Sequence, residues 1–274
     1  MTPGPAAGGS RDLDPDELVL SERLSGRPLL LLLDVDGTLA PIALHPSLAR
    51  VPDDTRRVVA FLATRDDIVV VLVSGRAAHD ARRLVGVEHL WTIGNHGAEV
   101  MDPDGDVIVD PAVSRYAEAV ADTARELQPL LSAIKGVLLE NKTWTLSVHY
   151  RMADEAVLPR LRGVVEGIAA HRGLRVTDGK KVLELRPPVQ VDKGTAVLRL
   201  ATELGARDDR GSILFAGDDE TDEDAFRVLR AERPGTVTVH VGDHPSTSAE
   251  FRLADPGQVR ALLERIAQET SSHR

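Results

Sequence analysis

Five consecutive leucines, Leu29–Leu33, run directly into Asp34. A short stretch apolar on both faces reads as a strand buried from both sides, the situation of a parallel sheet sheathed by helices. The segments that follow keep to that scheme. Apolar residues recur at helical spacing over Asp53–Arg65, a second buried run spans Ile68–Val73, a helix is predicted over Ala77–Val85, and a third strand over Leu90–Ile93. Strand, helix, strand, helix, strand predicts a doubly wound sheet with right-handed crossovers.

The pattern then changes. Residues 98–110 read as a hairpin around Asp104–Gly105. A long helix over Ala112–Ile134 and strands over 137–140 and 143–150 follow, then a helix over Ala153–His171 and strands over 174–178 and 181–187. Helices between antiparallel-looking strands predict an α+β module. After Pro187–Pro188 the alternation returns, with helices over Lys193–Leu204, Thr221–Arg230 and Gln258–Gln268 and strands over Ser212–Gly217 and Thr236–Gly242. The expected fold is α/β: a doubly wound, mostly parallel, Rossmann-like core over 29–105 and 188–270, interrupted by an α+β cap over 106–187. Residues 1–28, rich in Gly, Pro and acidic residues, read as a flexible tail with one short helix in DPDELVLSERL.

Charge narrows the function. There are 33 Lys+Arg against 43 Asp+Glu, a net charge of −10, which argues against nucleic-acid or acidic-membrane surfaces. The longest apolar runs, such as the six residues Ile68–Val73, are too short for a bilayer, and the first twelve residues lack the pattern of a secretory signal. The absence of cysteine excludes thiolate chemistry and suits a reducing compartment. A soluble, cytoplasmic chain is expected.

Open α/β sheets collect their chemistry at the carboxyl ends of strands. There DVDGT places Asp34, able to act as a nucleophile, one residue from Asp36, close enough for proton transfer. A bare D-x-D is most often an acidic turn. Three further features stand at equivalent places. Ser74 ends the second strand, Lys193 opens a helix after the insertion, and GDDETDED puts Asp218, Asp219 and Asp222 at the end of the Ser212–Gly217 strand. Lys193 beside a helix N-terminus suits an anion, and crowded carboxylates suit a hard divalent cation, Mg²⁺.

This order of motifs resembles the haloacid-dehalogenase-like (HAD-like) phosphatases. The resemblance implies that Asp34 attacks phosphorus and that Asp36 protonates the leaving oxygen and later activates water. It further implies that Ser74 and Lys193 hold the phosphoryl oxygens. Mg²⁺ would sit on Asp34, the backbone carbonyl of Asp36 and Asp218, with Asp219 and Asp222 in support. Within that superfamily the chain resembles the trehalose-6-phosphate phosphatases from Leu30 to about Leu253. The words that carry the likeness are DGTLAPI, SGR, GNHG, ENKTWTLSVHYR, GKKVLELRP, VDKGTA, GDDETDEDAF and HPSTSAEFRL. Val35 departs from the Tyr or Phe common there; its side chain is expected to point away from the catalytic face.

By the same resemblance Glu140, Lys142, Arg151, Lys180 and Glu184 of the cap contact the sugar; taken alone they read as exposed strand charges. Arg76 either touches substrate or caps the helix behind Ser74. His96 reads as shaping a turn beside the active site rather than as a general base, His149 as packing, and Trp91 and Trp144 as core rather than sugar platforms. Aromatic residues make up only 3% of the chain, so ring stacking is not the main source of sugar recognition. The resemblance implies trehalose 6-phosphate as substrate and functional coupling to a trehalose-phosphate synthase. Two alternatives stay open: a sister phosphatase acting on sucrose phosphate or mannosylphosphoglycerate, and a non-catalytic phospho-Asp signalling domain, which needs about half this length and no cap.

Overall fold

The leucine run becomes the central strand of the larger sheet. In the computed structural model, which describes residues 10–14, 22–206, 210–243 and 246–272, the chain first lays down β1 (Arg11–Asp12), β2 (Leu29–Asp34), α1 (Asp53–Ala63), β3 (Ile68–Val73), α2 (Ala78–Val85), β4 (Trp91–Gly94), β5 (Glu99–Met101) and β6 (Val107–Val109). The inserted module contributes α3 (Pro111–Ser114), α4 (Ala117–Ser132), β7 (Leu138–Asn141), β8 (Leu146–His149), α5 (Leu158–His171), β9 (Arg175–Gly179) and β10 (Val182–Arg186). The chain returns through α6 (Lys193–Glu203), β11 (Ser212–Gly217), α7 (Glu220–Glu232), β12 (Val237–Val241), β13 (Phe251–Leu253) and α8 (Pro256–Ser272).

The nine-stranded sheet has the order β1-β13-β12-β11-β2-β3-β4-β5-β6. It is parallel from β1 through β4, and the β5–β6 hairpin finishes it antiparallel. The leucines alternate between its faces, as a pleated strand requires. Leu29, Leu31 and Leu33 pack in one cluster with Val59, Leu62, Val85 and Leu263, from α1, α2 and α8. Leu30 and Leu32 pack on the other face with Val197, Leu200, Phe226 and Leu229, from α6 and α7. The strand order reverses between β2 and β11, whose register pairs Leu33 with Ala216. That reversal is the switch point where open α/β sheets hold ligands. It brings Asp34 and Asp218 together.

The cap is a second sheet, β7-β8-β10-β9, antiparallel throughout, with a core of its own. Leu146, Val148, Leu183 and Leu185 turn toward Val120, Leu127, Leu161 and Val165 of α4 and α5. With a period of two, the alternate residues face the opposite side. Register sets Glu140, Ser147 and Glu184 side by side across three strands.

Several boundaries differ from expectation. The helix predicted over Ala112–Ile134 is two: Asp110 caps Ala112 N at 2.9 Å to start α3, and Tyr116 leaves helical geometry (φ −98°, ψ 5°) as it packs on the cap core. The helix expected from Ala153 begins at Leu158, because Pro159 is tolerated only in a first turn. Strand β6 pairs within the large sheet, so the chain leaves that sheet after Val109 rather than at 106. Within the segment expected as a tail, Arg11 and Asp12 pair with Phe251 and Arg252, and Leu13 and Leu24 are buried in the core. The helix expected in DPDELVLSERL falls largely outside the described residues, as do His244 and Pro245. Among the described residues no helix is long and apolar enough to cross a membrane.

Candidate active site

β2 ends at Asp34, and the chain turns back at once: Gly37 N donates to Ala40 O at 2.7 Å, and Ala40 N to Val35 O at 2.8 Å. Val35 is fully buried in the core, as its expected orientation requires. Gly37 is left-handed at φ 93°, and a Cβ there would lie 2.1 Å from Asp218 Oδ2. Only glycine meets both demands. DGT is thus the tight turn that lets the two strand-end carboxylates approach.

Asp34 is 4% exposed and Lys193 1%. Lys193 Nζ donates to Asp34 Oδ1 at 2.8 Å and to Asp222 Oδ1 at 2.8 Å. Asp34 Oδ2 is buried without a partner. Asp222 Oδ2 accepts the backbone N–H groups of Asp218 (3.0 Å) and Asp219 (3.1 Å), while Asp219 caps α7 through Thr221 N and Asp222 N. Burial pushes Asp34 up to about 8 against the pull of Lys193. Burial, reinforced by Asp219, likewise pushes Asp218 up to about 7. Asp219 moves the other way: burial is overcome by Lys193 and its capping hydrogen bonds, which hold it well below the usual carboxylate range.

Carboxylates driven toward protonation by burial are relieved by a cation. Asp34, Asp218 and Asp222 each offer an oxygen, all within 4.8 Å of one another. Together with the unpartnered Asp34 Oδ2, this hard-oxygen set fits a divalent metal ion. The ion site expected from sequence comprised Asp34, the backbone carbonyl of Asp36 and Asp218, with Asp219 and Asp222 in support; here Asp222 joins Asp34 and Asp218 in the cluster. The Asp36 carboxylate is turned away to Arg76. Of the two readings of Arg76, the helix cap is absent: its Nε and Nη2 hold Asp36 Oδ2 and Oδ1 at 2.6 and 2.7 Å, on the wall of the cavity between core and cap. Ser74, 1% exposed at the end of β3, accepts Arg76 N at its Oγ, 3.1 Å away.

The cap closes over this corner and leaves a cavity of about 490 Å³ between the two modules. All five expected sugar contacts border it, with Asp36 and Asp218 at its base. Glu140 Oε2 lies 2.7 Å from His149 Nε2. Lys142 Nζ donates to Gly75 O at 2.9 Å, and Arg151 Nη1 to Ala43 O at 2.7 Å. Lys180, in the β9–β10 turn, donates to Asp218 Oδ2 at 2.7 Å. Glu184 Oε1 accepts Ser147 Oγ at 2.9 Å.

The fold gives two residues read otherwise from the sequence, His149 and His96, a place here, and adds Arg186, which sequence reasoning passed over. His149 holds Glu140 rather than packing alone. His96 lies on the cavity wall, as does Arg186, two residues past Glu184 on the same strand face. The GNHG and LELRP words contained the signal, but no local spacing assigns such residues to a shared wall.

A family model described as trehalose-phosphatase matches residues 32–257. Probable trehalose-phosphate phosphatase 9 of Oryza sativa subsp. japonica is 34% identical over 273 residues, covering 90% of this chain and 72% of its own length. Trehalose-phosphate phosphatase B of Arabidopsis thaliana is 34% identical over 265 residues, covering 92% and 69%. The C-terminal domain of C. albicans trehalose-6-phosphate phosphatase superposes with a TM-score of 0.78 at 26% identity, over 95% of this chain and 99% of that one.

Proposed function

This chain belongs to the trehalose-phosphatase family of HAD-like hydrolases, and on that premise we propose that it hydrolyses trehalose 6-phosphate through a phosphoaspartate at Asp34. The observation that carries the reading is the switch point: a buried, strand-end Asp34 with one free oxygen, held by Lys193 and two residues from Asp36, which with Asp218 borders the cavity lined by the cap's polar residues.

In the proposed first step an Asp34 oxygen forms a bond to phosphorus while the bond from phosphorus to the sugar oxygen breaks. Asp36 gives its proton to that leaving oxygen, a role for which its carboxyl must swing away from Arg76, which here donates to both of its oxygens. In the second step Asp36, now ionised, takes a proton from water, which attacks the same phosphorus and frees Asp34 and inorganic phosphate. Lys193 and Ser74 orient the phosphoryl oxygens, and Lys193 offsets their charge against that of Asp34. Asp34 and Asp218, with the backbone of Asp36 and the support of Asp219 and Asp222, would hold Mg²⁺, which supplies Lewis-acid neutralisation of phosphate charge. Glu140, Lys142, Arg151, Lys180 and Glu184 are assigned to sugar hydroxyls, whose loss with a wrong sugar leaves buried polar groups unpaired.

The test is phosphate release from trehalose 6-phosphate, glucose 6-phosphate and sucrose 6-phosphate, with and without Mg²⁺. Trehalose 6-phosphate is expected to be cleaved fastest, chelator to abolish the reaction and Mg²⁺ to restore it. Asp34→Asn keeps shape but removes the attacking charge, so kcat should fall by several orders of magnitude with folding intact. Preference for sucrose 6-phosphate would move the chain to a sister activity. Turnover by the Asn variant near the wild-type rate would dismiss the covalent route.

A further inference from the structure

Two consecutive non-glycine residues, Asn95 and His96, hold left-handed backbone, with φ of 49° and 56°. Such conformations persist only where surrounding structure overdetermines them, and they concentrate at functional sites. Here the restraints are explicit. Asn95 N donates to Arg76 O and His96 N to Ser74 O, while the Asn95 side chain is tied to Glu99, Thr145 and Lys142 O. The result is to stand the His96 imidazole against Gly75. A Cβ on Gly75 would lie 2.4 Å from His96 Cε1 and 2.6 Å from Nε2. The glycine of the SGR segment therefore makes room for this ring.

The ring is placed with care yet left unsatisfied. His96 is 7% exposed, borders the cavity, and neither ring nitrogen has a hydrogen-bond partner. Its nearest carboxylate oxygen, Glu184 Oε2, is 3.8 Å from Nε2 and is also buried and partnerless. Buried polar atoms are nearly always paired, so three unpaired atoms on one cavity wall mark the place of a missing partner. At 3.8 Å the two groups are too far apart to bond directly. They are well spaced for a third atom, since an oxygen about 2.8 Å from each completes the triangle.

We propose that His96 is a specificity-determining residue, reading a hydroxyl of the leaving sugar jointly with Glu184. The hydroxyl donates to Glu184 Oε2 and accepts from the Nε2–H of a neutral imidazole, leaving Nδ1 to accept a second hydroxyl or a water. Burial, with the positive charges of Arg186, Lys142 and Lys193 around it, holds the imidazole well below its ordinary pKa and so in the neutral form the geometry requires. An imidazolium would offer two donors and no acceptor. The assignment rests on the trehalose 6-phosphate reading and extends sugar recognition from the cap to the core, beside the SGR loop.

Two variants test it: His96→Asn, which tolerates left-handed backbone but is too short to reach, and His96→Phe, which keeps ring volume without polar atoms. Kinetics are read on trehalose 6-phosphate and p-nitrophenyl phosphate, and trehalose is read as an inhibitor of the generic ester. The loss in kcat/KM on the sugar ester should exceed that on the generic ester by about tenfold and lie mainly in KM, with trehalose inhibition weakened by a similar factor. His96→Gln, which retains a donor and an acceptor, should recover part of the selectivity. Equal losses on both esters, or none, would overturn the assignment in a wild type that cleaves trehalose 6-phosphate. A wild type that cleaves only the generic ester would instead defeat the substrate reading, and with it the hydroxyl named here.

Discussion

Glu140 shows how one carboxylate in the cap is kept charged. Burial alone would raise its pKa, but the hydrogen bond with His149 and the charges of Lys142 and Arg76 outweigh this and hold it at about 2, below its ordinary 4.5. A folded-state pKa below the unfolded one means that the ionised form stabilises the fold. That contribution is complete above about 4.5 and is lost as the pH falls toward 2. Glu140→Gln should therefore be less stable than wild type by about 1–3 kcal/mol at pH 6. The gap should narrow steadily between pH 4.5 and 2. Urea unfolding of both proteins across that range measures it, and a pH-independent gap would contradict the assignment. At this scale the sequence was most legible where the end of a strand or helix alone fixes a residue's place. Asp34, Ser74, Lys193 and Asp218 stand at strand ends or a helix start, and the fold leaves them there. Residues defined by a partner were not legible. Nothing near Arg76 announces that it will grip Asp36, forty positions earlier, or near His149 that it will hold Glu140.

Between elements, the joint of cap and core runs through Glu99 on β5. Its Oε1 accepts Ala78 N at 2.7 Å, the start of α2, and Asn95 Nδ2 at 2.9 Å, while its Oε2 accepts the indole N–H of Trp144 in the cap at 3.0 Å. Asn95 carries the link onward, accepting Thr145 Oγ1 at 2.7 Å. Every contact of this buried carboxylate is a donor, so an amide NH2 in place of one oxygen sets donor against donor. Glu99→Gln should therefore cost about 1–3 kcal/mol of unfolding free energy. Combined with Trp144→Phe it should cost less than the sum of the two single changes, by roughly 1 kcal/mol, because both remove the same bond. Strict additivity in denaturant unfolding would show that the two residues do not act together. Trp144 reads from the sequence as core; the structure leaves it half-buried, outside the core clusters, with its indole N–H on Glu99. The long elements were legible because their periodicity is local. The break at Tyr116 and the three-residue strand β13 were not, since packing rather than pattern decides them.

Across the whole molecule, charge is divided so that the cap brings cations to a core rich in carboxylates. Lys142 and Arg151 end on core carbonyls, and Lys180 Nζ ends on Asp218, 2.7 Å from Oδ2 and 3.1 Å from its carbonyl. Asp218 also belongs to the three-aspartate cluster suited to a divalent ion. A cation drawn to that carboxylate meets the ammonium group already beside it, and the two repel. Cap position and ion affinity are therefore linked, and linkage acts in both directions: whatever draws Lys180 away strengthens ion binding, and the ion in turn loosens this cap contact. Lys180 is half exposed, so solvent screens the effect and severalfold rather than many orders is expected. Lys180→Ala should bind Mg²⁺ severalfold more tightly in the absence of substrate, seen by titration calorimetry and as a larger Mg²⁺-induced rise in melting temperature. The same variant should hydrolyse trehalose 6-phosphate less efficiently, because it has lost a residue assigned to the sugar. Tighter ion binding with poorer turnover is a combination that a merely destabilised protein would not produce. Unchanged or weaker Mg²⁺ binding would show that Lys180 and the ion do not share Asp218.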